Sequence, residues 1–234
     1  MCAVIGVFLQ KPTLKDFQLV KNVFLESSIR GLHATGMSFL PNWSKKIQTI
    51  IEPKPASYFA SVHLHNDNFE NLLNEDGNIY LIGHCRYSTS DLEYNQPLWN
   101  DNISVVHNGV VSQEMPENWE RLYGYKCSTR NDSELIVHTL EAKKSPLHEF
   151  PNSSMAVVEL HREKKLRFYR NGKRPIYFTS LPNGGIITST KDISDRAGLS
   201  GAVEVPMNQY TTIGDGLFEK EDIVIEGAKD LQHV

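Results

Sequence analysis

Four short stretches, far apart in the chain, carry side chains that could do chemistry together. Cys2 is a thiol. If Met1 is removed, the same residue carries an α-amine, and an α-amine titrates close enough to neutral pH to act as base for its own thiol. On its own, a cysteine in an apolar run is better explained as a small buried strand residue. Asn108-Gly109 sets a side-chain amide beside an unhindered backbone N–H, and two such donors aimed at one point would hold an oxyanion. Asn-Gly is equally the strongest short hairpin signal. Arg86 ends an apolar run, where a guanidinium needs a carboxylate. A free amino acid would supply one, although for a lone arginine an internal salt bridge is the commoner answer. Asp132 precedes a helical pattern and either helps to start that helix or holds an α-ammonium. Arg86 and Asp132 at a fixed separation would select a free amino acid over a peptide.

The elements that must position these residues follow from hydrophobic period and turn signals. Residues 3–9 read as a buried strand running into Gln10-Lys11-Pro12, which builds the N-terminus into the fold. Thr13 reads as a cap for a helix ending near Ser28, with Phe17, Val20, Phe24 and Leu25 on one face. Residues 35–40 and 46–51 pair as strands about Pro41-Asn42. Residues 55–64 read as a short helix, and 78–85 and 103–111 as strands. Asn131 and Glu134 fit a capping box ahead of an amphipathic helix over 133–143. Strands at 154–161, 165–171, 176–180 and 186–190 are punctuated by Asn171-Gly172 and Asn183-Gly184-Gly185. A short helix at 193–199 and strands at 210–213 and 217–225 close the pattern. Short loops and turn glycines favour antiparallel pairing, and two antiparallel sheets covered by helices result.

The chain has 234 residues, enough for one sizeable core, and no repeat or low-complexity linker divides it. With 24 basic and 28 acidic residues and no Lys/Arg run, it has no electrostatic footprint for nucleic acid or an anionic membrane. No segment has the length of a transmembrane helix. The three cysteines, Cys2, Cys85 and Cys127, are widely spaced with no Cys-x-x-Cys, which suits a reducing cytoplasm and argues against a disulfide framework or structural zinc. His63-x-His65 falls in the helical stretch 55–64, where this spacing points the rings apart, so solvated histidines are expected and no metal. There is no P-loop and no dinucleotide fingerprint, and no cofactor is expected.

Taken in order, the motifs resemble the glutaminase domain of class II glutamine amidotransferases, within the N-terminal nucleophile (Ntn) hydrolases. Met1-Cys2 before an apolar strand is similar to the family's start. Arg30-Gly31-Leu32-His33-Ala34-Thr35-Gly36 resembles its Arg-Gly-x-Asp-Ser-x-Gly, and Gly83-His84-Cys85-Arg86-Tyr87-Ser88-Thr89 its His-Thr-Arg-aromatic-Ala-Thr. Asn95-Gln96-Pro97 resembles the segment that follows. His107-Asn108-Gly109 matches outright, and Asp132-Ser133-Glu134 resembles Asp-Thr-Glu. Arg170-Asn171-Gly172-Lys173-Arg174-Pro175-Ile176 and Thr188-Ser189-Thr190-Lys191-Asp192 are similar to its late strands and turn. The chain departs from the pattern at Ala3, His33, Ala34, Cys85 and Ser90-Asp91, the mark of a divergent member.

The resemblance implies an α+β fold, a four-layer αββα sandwich of two mainly antiparallel sheets covered by helices. It implies Cys2 as nucleophile with its α-amine as base, Asn108 and Gly109 as oxyanion hole, and Arg86 with Thr89 at the substrate carboxylate. Asp132 would take the α-ammonium, and Arg30 would support the nucleophile. Residues 1–234 are expected to form a single glutaminase domain without an acceptor or synthase domain, in the cytoplasm, feeding ammonia from glutamine to a separate synthase partner. The alternatives are a stand-alone amidohydrolase of another γ-glutamyl amide and, from another class, a catalytically silent binding or regulatory module.

Overall fold

The computed structural model describes residues 2–88 and 94–225. Among the described residues, thirteen strands run in chain order as β1 (Ala3–Leu9), β2 (Ala34–Phe39), β3 (Gln48–Glu52), β4 (Ile79–Arg86), β5 (Leu98–Trp99), β6 (Ile103–Val110), β7 (Ser154–His161), β8 (Lys165–Arg170), β9 (Tyr177–Leu181), β10 (Gly184–Thr188), β11 (Val203–Glu204), β12 (Gln209–Gly214) and β13 (Leu217–Asp222). They form a seven-stranded sheet, β11-β9-β10-β1-β4-β2-β3, and a six-stranded sheet, β13-β12-β8-β7-β6-β5. The strand pairs at the heart of the site, β1 with β4 and β10, and β6 with β7, are antiparallel, as the short turns predict.

β1 is apolar throughout and buried along its whole length, because it is a central strand with both faces covered. Its alternation divides the core. Val4 and Phe8 point between the sheets and join Tyr80, Ile82, Val106, Val158 and Phe168. Ala3, Ile5, Val7 and Leu9 point outward against helices α1 (Leu14–Ser27), α2 (Ala56–His63) and α6 (Lys191–Arg196), through Phe17, Phe24, Phe59 and Ile193. The other sheet is covered by α3 (Trp119–Tyr123), α4 (Glu134–Glu141) and α5 (Pro146–Glu149), which bring Trp119, Leu135, Ile136 and Leu147 onto Val105, Val157 and Tyr169. Helices, sheet, sheet and helices make the four layers expected. Gly6 has no side chain for a local reason: a Cβ there would lie 2.8 Å from Ile187 Cδ1 and 2.9 Å from Val158 Cγ1, inside the closely packed sheet interface.

The start of α1 follows the sequence. Thr13 Oγ1 accepts from Asp16 N at 3.3 Å while Asp16 Oδ2 accepts from Thr13 N at 2.8 Å, a reciprocal cap worth about 1 kcal/mol. The start of α4 does not. Ser133 caps it without a side-chain hydrogen bond. Asn131 Oδ1 accepts from Ser133 N at 3.1 Å in a local turn, and the buried Glu134 carboxylate accepts instead from the backbone and hydroxyl groups of Ser128 and Thr129 at 2.6–2.8 Å. Four donors on the 128–129 loop outcompete the single one that a capping box offers. Asn108-Gly109 is likewise no hairpin turn: β6 runs through both residues, paired with Ala156 and Met155 of β7. His63 and His65 do not face each other; His63 meets Glu52 at 3.2 Å and His65 meets Asp67 at 3.2 Å. Cys127 is only partly buried, whereas Cys85 is fully enclosed.

Register then places the chemistry. Ala3 pairs with Cys85, so Cys2 stands beside Arg86 at one end of the first sheet. Asn108 reaches the same end from the second. Among the described residues no helix is long and apolar enough to cross a membrane.

Candidate active site

Cys2 immediately precedes β1 and is partly exposed. Three contacts hold it. Its backbone N–H donates to Asn108 Oδ1 at 3.2 Å, its carbonyl accepts from Arg30 Nε at 3.1 Å, and its Sγ lies 4.0 Å from the Tyr87 carbonyl. Asn108 thus uses its oxygen to anchor the Cys2 nitrogen. Its Nδ2 is shut off from solvent with no acceptor among the described residues. A buried amide donor left unmade costs about 1–3 kcal/mol, so this N–H is open to an acceptor entering the cleft.

Gly109 has φ +147°, and a Cβ would stand 1.8 Å from the Ser154 carbonyl oxygen, so only glycine fits. Behind the pair, His107 is locked in a closed ring of hydrogen bonds. Its backbone N–H donates to Gln96 Oε1 at 2.6 Å, Gln96 Nε2 donates to Ser133 Oγ at 3.1 Å, and Ser133 Oγ lies 2.9 Å from His107 Nδ1. His107 Nε2 faces the Ser154 carbonyl at 3.0 Å, which can only accept. The ring therefore carries its proton on Nε2, and Ser133 donates to Nδ1. Burial holds His107 below the ordinary imidazole value, against the pull of Asp132. His84, buried across the sheet interface, is pushed down to about 3 by burial and then by His107 and Arg86. Both imidazoles are neutral supports.

Asp132 Oδ2 accepts from Val111 N at 2.6 Å and Ser112 N at 3.2 Å, which fixes the carboxylate just beyond β6. Arg86 Nη1 donates to the Tyr94 carbonyl at 2.7 Å and to Asn95 Oδ1 at 2.8 Å. Cys2, Arg86, Asn108, Gly109 and Asp132 share one cleft of about 520 Å³. Arg30 is not on its wall; it lines the adjoining groove with Ile29, Tyr87 and Thr190 and reaches Cys2 from there. Thr89 lies outside the described residues. Sequence reasoning gave no role to Gln96, His107, Ser133 or Arg174, all on the cleft wall. Their signal was present, since each lies within or next to a quoted motif, but a buried polar ring is not visible in a linear pattern.

Outside the cleft's chemistry, Cys127, Glu134 and His138 offer ligand atoms within 4.8 Å of one another. Glu134 is already engaged there, each oxygen accepting two hydrogen bonds from Ser128 or Thr129.

The arrangement unites a partly exposed thiol, a buried unpaired amide donor, a guanidinium and a carboxylate, on a four-layer antiparallel sandwich. Solved structures share that fold. Over 94% of this chain and 49% of the other, it superimposes on the glutamine phosphoribosylpyrophosphate amidotransferase of B. subtilis, with a TM-score of 0.70 and 18% identity. A structure described as the allosteric regulatory enzyme of purine biosynthesis matches over the same shares, with a TM-score of 0.69 and 18% identity. A glutamine aminotransferase class-II domain protein from Silicibacter pomeroyi matches over 95% of this chain and 99% of its own, with a TM-score of 0.59 and 12% identity. The chain spans about half the length of the first two. No family model and no curated protein matches it. The fold is that of the class II glutamine amidotransferases, the Ntn-hydrolase sandwich.

Proposed function

We propose that this chain hydrolyses the side-chain amide of glutamine to glutamate and ammonia through a thioester on Cys2, with residues 1–234 acting as one glutaminase domain that delivers ammonia to a separate synthase. The observation that carries the reading is the Cys2–Asn108 contact, with the Asn108 Nδ2 left unpaired beside it.

Once Met1 is gone, the Cys2 α-amine takes the thiol proton and the sulfur attacks the amide carbon. The carbonyl oxygen becomes an oxyanion held by Asn108 Nδ2 and the Gly109 N–H. The ammonium returns its proton to the amide nitrogen, the C–N bond breaks and ammonia leaves. Water, deprotonated by the same amine, opens the thioester and releases glutamate. Arg86 and Asp132 hold the α-carboxylate and α-ammonium, with Thr89 beside the former. Arg30 steadies the Cys2 carbonyl.

A second reading, hydrolysis of a larger γ-glutamyl amide, draws on the volume of the cleft, about 520 Å³, which exceeds what one free amino acid fills.

The test is a glutamate-release assay on purified protein, with the N-terminus read by mass spectrometry and Cys2→Ala as control. Release that requires Cys2 and a Met-free N-terminus is expected, rising on addition of the synthase partner. Retained Met1 on soluble protein, with no release from glutamine or γ-glutamyl analogues, would leave a silent module.

A further inference from the structure

Three arginines line the cleft, and they are not equivalent. Arg86 is bonded to Tyr94 and Asn95, and Arg130 is paired with Glu117 at 2.6 Å. Arg174 makes no hydrogen bond or ion pair with any described residue, and its Nε is closed off from solvent without an acceptor. A guanidinium keeps its charge in a protein and has five N–H donors to satisfy. Leaving one buried and unmade is a cost that native sites keep where a ligand or a reacting group brings the anion.

The loop carrying Arg174 is held against the oxyanion strand. Asn171 follows β8 and locks onto the start of β7: its Oδ1 accepts from Met155 N at 3.0 Å, and its Nδ2 donates to the Ser153 carbonyl at 2.7 Å. Met155 stands opposite Gly109 in register. The residues after Asn171 therefore pass beside the end of β6, and Arg174 enters the cleft that Cys2, Asn108 and Gly109 share. Its charge reaches both sides of that point. It adds to burial in lowering His107, next to Asn108, and adds to burial in lowering Arg30, which holds the Cys2 carbonyl.

We infer that Arg174 is a cation of the reaction centre on the cleft side, placed to face the negative charge that forms on the Cys2 sulfur and then on the amide oxygen. As the thiol proton passes to the α-amine and the S–C bond forms, the carbonyl π pair moves to oxygen. When the C–N bond breaks that pair returns, and the nitrogen leaves with the amine's proton. The negative charge lasts only between those events, and a fixed cation favours that interval over the ground state. This inference rests on the amidohydrolase reading of the cleft.

The test compares two alkylating reagents with the same leaving group, anionic iodoacetate and neutral iodoacetamide. Their rates at Cys2 are read by peptide mass spectrometry on folded wild type, Arg174→Met and Arg174→Lys. Taking the ratio cancels general changes in thiol reactivity and exposure. The iodoacetate-to-iodoacetamide ratio is expected to fall about threefold or more in Arg174→Met and to be retained in Arg174→Lys. Glutamine kcat in Arg174→Met is expected to fall about tenfold or more, with KM nearly unchanged. If Arg174→Met loses the wild-type circular dichroism spectrum, Arg174→Gln takes its place. A ratio that stays at the wild-type value overturns the inference, whatever kcat does, since a merely structural residue also lowers kcat. A raised KM at unchanged kcat overturns it too, because Arg174 would then bind the ground state. A falling ratio in a protein whose wild type turns over no γ-glutamyl amide sinks the amidohydrolase reading and leaves the Arg174 charge at Cys2 standing.

Discussion

Asn108 Oδ1 accepts from the Cys2 backbone nitrogen at 3.2 Å, and this contact ties the end of one sheet to the end of the other. The oxygen end of this amide is therefore committed to Cys2, while its Nδ2 end is unpartnered and, in the proposed reaction, faces the oxyanion. Asn108→Asp keeps the accepting oxygen and removes the Nδ2 donor, so it separates them. Glutaminase kcat is expected to fall about 10²–10³-fold with little change in KM, as for loss of one oxyanion donor. Steady-state kinetics decide it; a kcat within threefold of wild type would remove Asn108 from the oxyanion hole.

Gly109→Ala asks the backbone for φ +147° with a Cβ 1.8 Å from the Ser154 oxygen. Strand β6 must shift, and stability should fall by at least about 2 kcal/mol. Urea denaturation measures it. A midpoint equal to wild type would mean that this end of β6 is free to move.

Asp132→Asn keeps an oxygen for Val111 N and Ser112 N while removing the charge. Stability should change little, and the KM for glutamine should rise roughly 10- to 100-fold, the worth of one hydrogen bond to a charged group. Thermal melts and kinetics on the same preparation separate the two effects. An unchanged KM would place the substrate ammonium elsewhere.

Glu159 is completely buried on β7 and bonded to Arg167 at 2.8 and 3.2 Å and to His161 at 2.7 Å. Burial alone would raise its carboxyl; the Arg167 guanidinium and the His161 ring outweigh burial and bring it down to about 2. A carboxyl depressed on folding contributes stability that is present above its unfolded value and is lost as pH falls through the folded one. Wild type should therefore lose stability between about pH 4.5 and pH 2, and Glu159→Gln should be weaker at pH 7 but flatter across that window. Urea denaturation at pH 7, 5 and 3 would show it; parallel curves for the two proteins would assign the acid sensitivity to other groups.

The strands that position the site were legible because they are buried on both faces or alternate cleanly, as in β1 and β6, and Thr13 announced α1 through local chemistry alone. The site residues were legible as types in register: Cys2, Arg86, Asn108, Gly109 and Asp132 do converge on one cleft. Two kinds of information were hidden. Competition between local partners decided Glu134, whose spacing fits a cap but whose carboxylate goes to Ser128 and Thr129. Long-range register decided Arg174 and the ring of Gln96, Ser133 and His107, whose relationships exist only after β6, β7 and β8 have aligned. Short elements such as β5, β11, α3 and α5 escaped because they are too brief to show a period.

The central place of β1 also bears on when the site comes into being. Its neighbours are β4 and β10, and Val4 N donates to Ser189 Oγ across 185 positions of sequence. β1 is thus completed late, since half of its pairing waits for residues about 180 positions further along the sequence. A ribosome-bound fragment lacking β10 would hold the thiol on a half-paired strand. The cleft around Cys2 is then assembled as a late event of folding, after β10 has been synthesised, rather than by the segment that carries Cys2 alone.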